Sequence, residues 1–248
     1  MNIPCFENIP EIVLENKNFL VARKPHGIPT VPVTGSEKYS LLDFVSKSYP
    51  EVLEASPDTR KKDEGGVIHR LDNGTYGLVL IARNKKTAGF FINEQKSGRI
   101  CKEYIAVTKK NGVNDIPEGF PTPAFYFLDK KDCPCSIQSR FRYYGKGRQA
   151  VRPVRLDEEN RLIIKKTEKN IYTTDILSVD ECRQKYLFRI RLVKGFRHQI
   201  RSHLAWCSYP IIGDELYGGE KSPFLELYAV TLNFRDPETE RNIRCQLG

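Results

Sequence analysis

A run of six apolar residues, Gly77-Leu78-Val79-Leu80-Ile81-Ala82, limits what this chain can become. It is too short for a stable helix and rich in branched side chains, so it reads as a strand buried on both faces. The residues before it are polar and include Asn73-Gly74, a turn-forming pair that places Asp72 in a loop leading into the strand. His69 and Arg70 stand three and two residues before Asp72. Loops carried on a rigid strand are common places for reactive groups. A carboxylate beside two potential cations stays ionised, as a nucleophile must. The plainer reading of the same residues is a turn capped by Asp72, with Arg70 as its surface partner.

Around this centre the chain alternates strands and helices. Phe19-Leu20-Val21-Ala22 reads as a strand, broken by Lys24-Pro25-His26-Gly27, where His26 reads as a bystander. Ser40 is placed to cap a helix with the stripe Leu41, Leu42, Phe44 and Val45, which Pro50 ends. Asn84 opens a second helix with Ala88, Phe91, Ile92 and Gln95 at helical spacing and Gly98 as its stop. Residues 100–108 form a strand whose alternation puts Lys102, Tyr104 and Ala106 on one face. Residues 109–139 carry no pattern. Residues 140–155 gather Arg140, Arg142, Lys146, Arg148, Arg152 and Arg155 around Tyr143 and Tyr144. They read either as a solvated loop or as a basic and aromatic surface for phosphates and bases. Residues 172–181 and 185–193 alternate as a hairpin.

The helix expected after that hairpin carries Ile200, Leu204 and Cys207 on its apolar face and Arg197 and Arg201, four apart, on another. Its histidines do not suit a metal. His198 and His203 are five apart, about 500° of helical rotation, so they diverge by about 140°, whereas a metalloenzyme helix needs two His four apart. His203, beside Ile200 and Leu204, reads as a core histidine.

Three stretches in order resemble the motifs of the RluA-type RNA pseudouridine synthases. His69-Arg70-Leu71-Asp72, followed by Thr75, Gly77 and the strand ending at Ala82, resembles the H-R-L-D motif, with Tyr76 in place of the usual Ser. Lys102-x-Tyr104-x-Ala106 is similar to K-x-Y-x-A. Residues 194–204 resemble G-R-x-H-Q-I-R-x-H-L, with Phe196 where Arg is usual, and then Pro210, Gly213-Asp214 and Tyr217-Gly218 follow as in the family. The resemblance implies an α+β pseudouridine synthase fold, a largely antiparallel mixed sheet in two halves with an active-site cleft between. It implies one catalytic domain over residues 1–248, beginning near residue 15 without an N-terminal S4 module. The implied reaction isomerises uridine in RNA without cofactor or metal. Asp72 would be the nucleophile, Tyr104 the base-stacking proton handler and Arg201 the cation holding Asp72 ionised. His69, Arg70, Lys102, Arg148, Arg152, Arg197 and His198 are the expected RNA contacts.

Charge agrees with that partner. The formal net charge of +9 favours a polyanion, nucleic acid before membrane. No apolar run approaches the length of a membrane span, and Glu7, Glu11 and Glu15 oppose a secretory or transit peptide. Seven cysteines, scattered apart from Cys133 and Cys135, suit a reduced cytoplasmic protein and make a poor metal set. Asp72 lacks a nearby second carboxylate, unlike the acid pair of an ordinary glycoside hydrolase. The expected partner is rRNA or tRNA, bound by a cytoplasmic monomer. The alternative is a catalytically inactive RNA-binding or ribosome-associated protein on the same fold, and a metal-dependent hydrolase ranks below both.

Overall fold

The computed structural model describes residues 8–57, 62–112, 115–123 and 133–247. In chain order the strands are β1 (Glu11–Glu15), β2 (Phe19–Lys24), β3 (Tyr76–Ala82), β4 (Cys101–Lys109), β5 (Cys135–Tyr144), β6 (Ala150–Val154), β7 (Tyr172–Cys182), β8 (Lys185–Leu192), β9 (Leu227–Arg235) and β10 (Asn242–Gln246). The helices are α1 (Leu41–Ser48), α2 (Lys85–Lys96), the single turn α3 (Arg161–Ile164) and α4 (Gln199–Trp206). The chain forms two compact units, Met1–Glu103 with Tyr228–Gly248, and Tyr104–Leu227. Both mix a mostly antiparallel sheet with few helices, the α+β class expected from the sequence.

In the first unit the strand order is β1-β2-β3-β9, with β10 also paired to β9. All neighbours are antiparallel except β3 and β9, which run parallel through Tyr76–Tyr228 and Gly77–Ala229. A strand flanked on both edges and covered by α2 has no solvent face, and all seven residues of β3 are buried. Leu78, Leu80 and Ala82 share a core with Phe19, Phe91 and Phe234. Those three rings meet edge to face at centroid distances of 5.2 to 5.7 Å, each pair adding about 1 kcal/mol beyond its buried area. Both helix starts lie where the sequence puts them. Ser40 and Asp43 form a reciprocal capping box on α1. The Asn84 side chain accepts from the Thr87 amide at 2.8 Å to cap α2. Glu94, buried on α2, accepts from Arg99 at 2.8 Å and from Arg235 of β9 at 2.9 Å, which ties the helix to the sheet.

In the second unit the order is β4-β8-β7-β5-β6. The basic stretch 140–155, for which a solvated loop is one of the two readings, lies mostly in the antiparallel pair β5 and β6. Residues Cys135–Ser139 of β5 pair with β7, and Arg140–Tyr144 pair with β6. Of residues 109–139, positions 113, 114 and 124–132 lie outside the described residues. No helix among the described residues is long and apolar enough to cross a membrane.

Candidate active site

Asp72 heads a turn closed by the Thr75 amide, which donates to the Asp72 carbonyl at 2.9 Å. Residues of the 24–30 loop hold the rest of that backbone. The Gly27 amide and the Lys24 ammonium both donate to the Asn73 carbonyl, at 2.8 and 3.0 Å. The Thr30 hydroxyl accepts from the Leu71 amide and donates to the Leu71 carbonyl, each at 3.0 Å. His26 Nδ1 lies 2.6 Å from the Gly74 carbonyl, so this nitrogen carries the ring proton and donates. Burial pulls the His26 pKa down, which keeps the ring neutral. His26 is therefore part of the clamp and not a bystander. Asp72 itself is half-buried on this fixed turn.

Lys24 is a residue to which sequence reasoning gives no role. Its ammonium is fully buried and gives its remaining donors to the carbonyls of Pro25 at 2.9 Å and Ile28 at 2.8 Å. Burial pulls its pKa down to about 7, and the negative charge of Asp72 works in the opposite direction. Of the two cations expected beside Asp72, Arg70 is exposed and pairs with Glu64 at 3.1 Å. His69 is buried, and its Nε2 accepts from the Leu80 amide at 3.3 Å, so the ring is not an imidazolium. The legible signal for Lys24 is the run Lys24-Pro25-His26-Gly27 at the end of β2, whose K-P-x-G pattern resembles the start of the family's catalytic domain.

Two further residues shape the turn. Gly77 sits at φ 135°, and a Cβ there would lie 2.2 Å from the Ala229 carbonyl oxygen, so only glycine lets β3 reach β9. Tyr76, the departure from the resembled motif, is buried against His26 and Tyr228 at centroid distances of 5.4 and 6.2 Å. It packs beneath the turn. On β4, Lys102 and Tyr104 are both buried, and burial pulls Lys102 down to about 8.

The helix of the third motif starts later than the sequence suggests. His198 has φ 53°, so α4 begins at Gln199 and Arg197 lies outside it. Arg197 is exposed and donates to the Gln149 carbonyl at 2.9 Å, and it shares no helix face with Arg201. Within the helix the side chains divide the work. Gln199 donates to the Thr173 carbonyl and Thr174 hydroxyl at 2.9 and 3.0 Å. His203 is fully buried, with Ser139 and Thr174 each 2.8 Å from a ring nitrogen, which bears out the core reading. Arg201 makes a two-pronged ion pair with Asp214, Nε at 2.7 Å and Nη2 at 2.8 Å. Phe196 stacks on Phe141 at 5.1 Å and lies 4.9 Å from Tyr172, filling a small core where the resembled motif carries Arg.

The β5–β6 ribbon is rich in arginine. Arg142 and Arg152 are directly opposed across the two strands, a pairing of like charges that costs stability unless an anion joins it. The Arg142 Nε is buried without a hydrogen-bond partner among the described residues. Arg152 donates to the Gly119 carbonyl, and its pKa is lowered by burial and then by Arg142. At the ribbon's turn, exposed Arg148 lies over the Tyr143 ring at 5.1 Å. His198 Nδ1 lies 3.0 Å from the Tyr217 hydroxyl.

The class of protein follows from comparison with known families. A family model described as RNA pseudouridylate synthase matches residues 18–206, a span holding all three motif residues Asp72, Tyr104 and Arg201. The chain belongs to this family. Ribosomal large subunit pseudouridine synthase D of Yersinia pestis is 27% identical over 218 residues, covering 88% of this chain and 55% of that protein. The Haemophilus influenzae protein of the same name is 27% identical over 222 residues, with 88% and 56% covered. The chain thus spans about half the length of the curated relatives it matches. Among solved structures, human RNA pseudouridylate synthase domain containing 4 superposes with a TM-score of 0.60 at 18% identity, covering 96% of this chain and 88% of that one. Human RNA pseudouridylate synthase domain containing 1 gives 0.62 at 17% identity, covering 100% and 86%. The fold is that of this family's domain.

Proposed function

We propose that this chain isomerises uridine to pseudouridine within RNA. The observation that carries this reading is the Asp72 turn, where a half-buried carboxylate stands on a backbone tied down by Lys24, His26, Gly27 and Thr30. Such a turn holds a reacting group in place before substrate arrives. The reaction conserves atoms. The N1–C1′ bond breaks, the base turns, and C5 is joined to C1′; N1 finishes with a proton and C5 gives one up. Asp72 serves as the nucleophile. Tyr104 stacks on the base and handles the C5 proton, and Arg201 supplies the cation for the Asp72 carboxylate. The target nucleotide leaves its stack, at a cost of a few kcal/mol that phosphate contacts offset. The opposed Arg142 and Arg152, with Arg148 and Arg197, provide such contacts, and Arg70 and His198 complete the proposed RNA-facing set, while the other two expected contacts, His69 and Lys102, are buried behind it. Large-subunit ribosomal RNA is the first substrate to test, because the relatives are named for it.

The test is a pseudouridine map of rRNA and tRNA from cells lacking the protein, complemented with wild type or Asp72→Ala. One or a few sites should vanish in the deletion and return only with wild type. A map unchanged by deletion would sink the reading, and purified protein that still bound RNA would then point to a binding role.

A further inference from the structure

Asp214 and Tyr217 belong to the stretch after the third motif, for which the family resemblance gives no role, and they lie beyond the residues matched by the family model. Asp214 is 1% exposed. Its carboxylate takes the Nε and Nη2 edge of Arg201, and Nη1 lies on the opposite side of the guanidinium fork. Tyr217 fixes the plane. Its ring lies 5.3 Å from the guanidinium carbon, and its hydroxyl accepts from the Val151 amide at 2.9 Å. The loop that delivers both residues is closed on itself. The Gly219 and Tyr217 amides donate to the Asp214 carbonyl at 2.8 and 3.1 Å, and the Asp214 amide donates to Ile211 at 3.0 Å. Glycine is required at two of its corners. A Cβ at Gly213, where φ is 83°, would meet the Phe224 carbonyl at 2.0 Å, and one at Gly219 would meet the Ile211 carbonyl at 2.0 Å.

We propose that Asp214, seconded by Tyr217, is a positioning residue for the reaction: it holds the Arg201 guanidinium in one orientation. This rests on the role given above to Arg201. A lone arginine samples many rotamers, and each would face a carboxylate differently. A buried two-pronged partner with a ring beneath the guanidinium leaves one, so Arg201 is oriented before substrate binds. Asp214 does not touch substrate in this scheme; its effect passes through Arg201 alone.

The test is a double-mutant cycle of Asp214→Asn, Arg201→Ala and both together, with Tyr217→Phe alongside. Single-turnover pseudouridine formation is measured on total RNA from cells lacking the protein, together with the affinity of each variant for that RNA. Asp214→Asn should slow the reaction by about 10- to 100-fold, the size of effect that a small misplacement produces, while its RNA affinity stays within about threefold of wild type. The double variant should be no slower than Arg201→Ala alone, since residues acting as a unit are not additive. A merely structural Asp214 would add its loss to that of Arg201→Ala, and that additivity would overturn the proposal. So would wild-type rates for Asp214→Asn beside a slow Arg201→Ala, which leaves the Arg201 role standing. Wild-type rates for Arg201→Ala would remove the Arg201 role and the proposal with it. If Asp214→Asn lacks the wild-type melting transition, Asp214→Glu, which keeps the charge and shifts the carboxylate by one methylene, enters the same cycle with the same expectations.

Discussion

At Lys24, a methionine would fill the same volume and donate nothing. The carbonyls of Pro25, Ile28 and Asn73 would lose their ammonium donor inside the protein, a loss of about 2–3 kcal/mol, and the Asp72 turn would loosen. Lys24→Met should therefore lower both stability and rate. The pH dependence gives a sharper test. The folded-state pKa is about 7 against an ordinary 10.5, so between these values the unfolded chain holds more protons than the folded one. Wild-type stability gains a rising contribution across that window as pH increases, and the variant lacks it. Urea melts at about pH 7 and about pH 10 should show the stability gap between the two proteins widening at the higher pH; a constant gap would refute the assignment. This residue also marks what sequence can convey. Asp72 is legible because its neighbours in the chain form a motif. The role of Lys24 is not, because it depends on a carbonyl at residue 73 that only the folded β2–β3 pair brings near. Tyr76 and Phe196 are legible as departures, yet their packing partners, Tyr228 and Phe141, are remote in sequence.

Elements were legible where the signal is local. The caps Ser40 and Asn84, the buried run of β3 and the β7–β8 alternation each depend on a few adjacent residues. The start of α4 was not, because the left-handed His198 is fixed by tertiary partners and no Gly or Asn announces it. The β7–β8 turn is similar, with Arg183 and Gln184 at φ 50° and 65° in place of the usual Asn-Gly. The tether of α2 to β9 yields a prediction at this scale. Arg235 and then Arg99 hold the Glu94 carboxyl at a pKa of about 2, against an ordinary 4.5. A depressed carboxylate stabilises the fold above its unfolded pKa and stops doing so as pH falls through the folded value. Wild type should lose this contribution between about pH 4.5 and 2. Glu94→Gln should cost on the order of 2 kcal/mol at pH 7, less than a fully buried pair because both arginines are partly exposed. Thermal melts of both proteins from neutral to acid pH should converge; parallel curves would show that the tether contributes nothing.

For the whole molecule, the first unit is made from two stretches of chain separated by the whole of the second. β3 has β2 on one edge and β9 on the other, and β9 begins only at residue 227. Neither the pairing of Tyr76 with Tyr228 nor that of Gly77 with Ala229 can be read from the sequence, since alternation marks a strand but not its partner. The dependence is strong, because Leu232, Phe234 and Cys245 are buried among Phe19, Leu78, Leu80 and Phe91. Deleting a single buried phenylalanine costs about 3–5 kcal/mol and a leucine about 2–5, which together rival the whole stability of a typical domain, about 5–15 kcal/mol. A chain cut after Leu227 should therefore fail to fold its first unit, although it retains Asp72, Tyr104 and Arg201. The amides of β2 and β3 should exchange with solvent at unfolded-chain rates in the truncated protein and slowly in the full one. Slow exchange in both would mean that β1, β2, β3 and α2 hold together without β9. In the full chain, the parallel β3–β9 pairing closes a long loop before any of its contacts form, so protection of β3 should be among the last events in refolding.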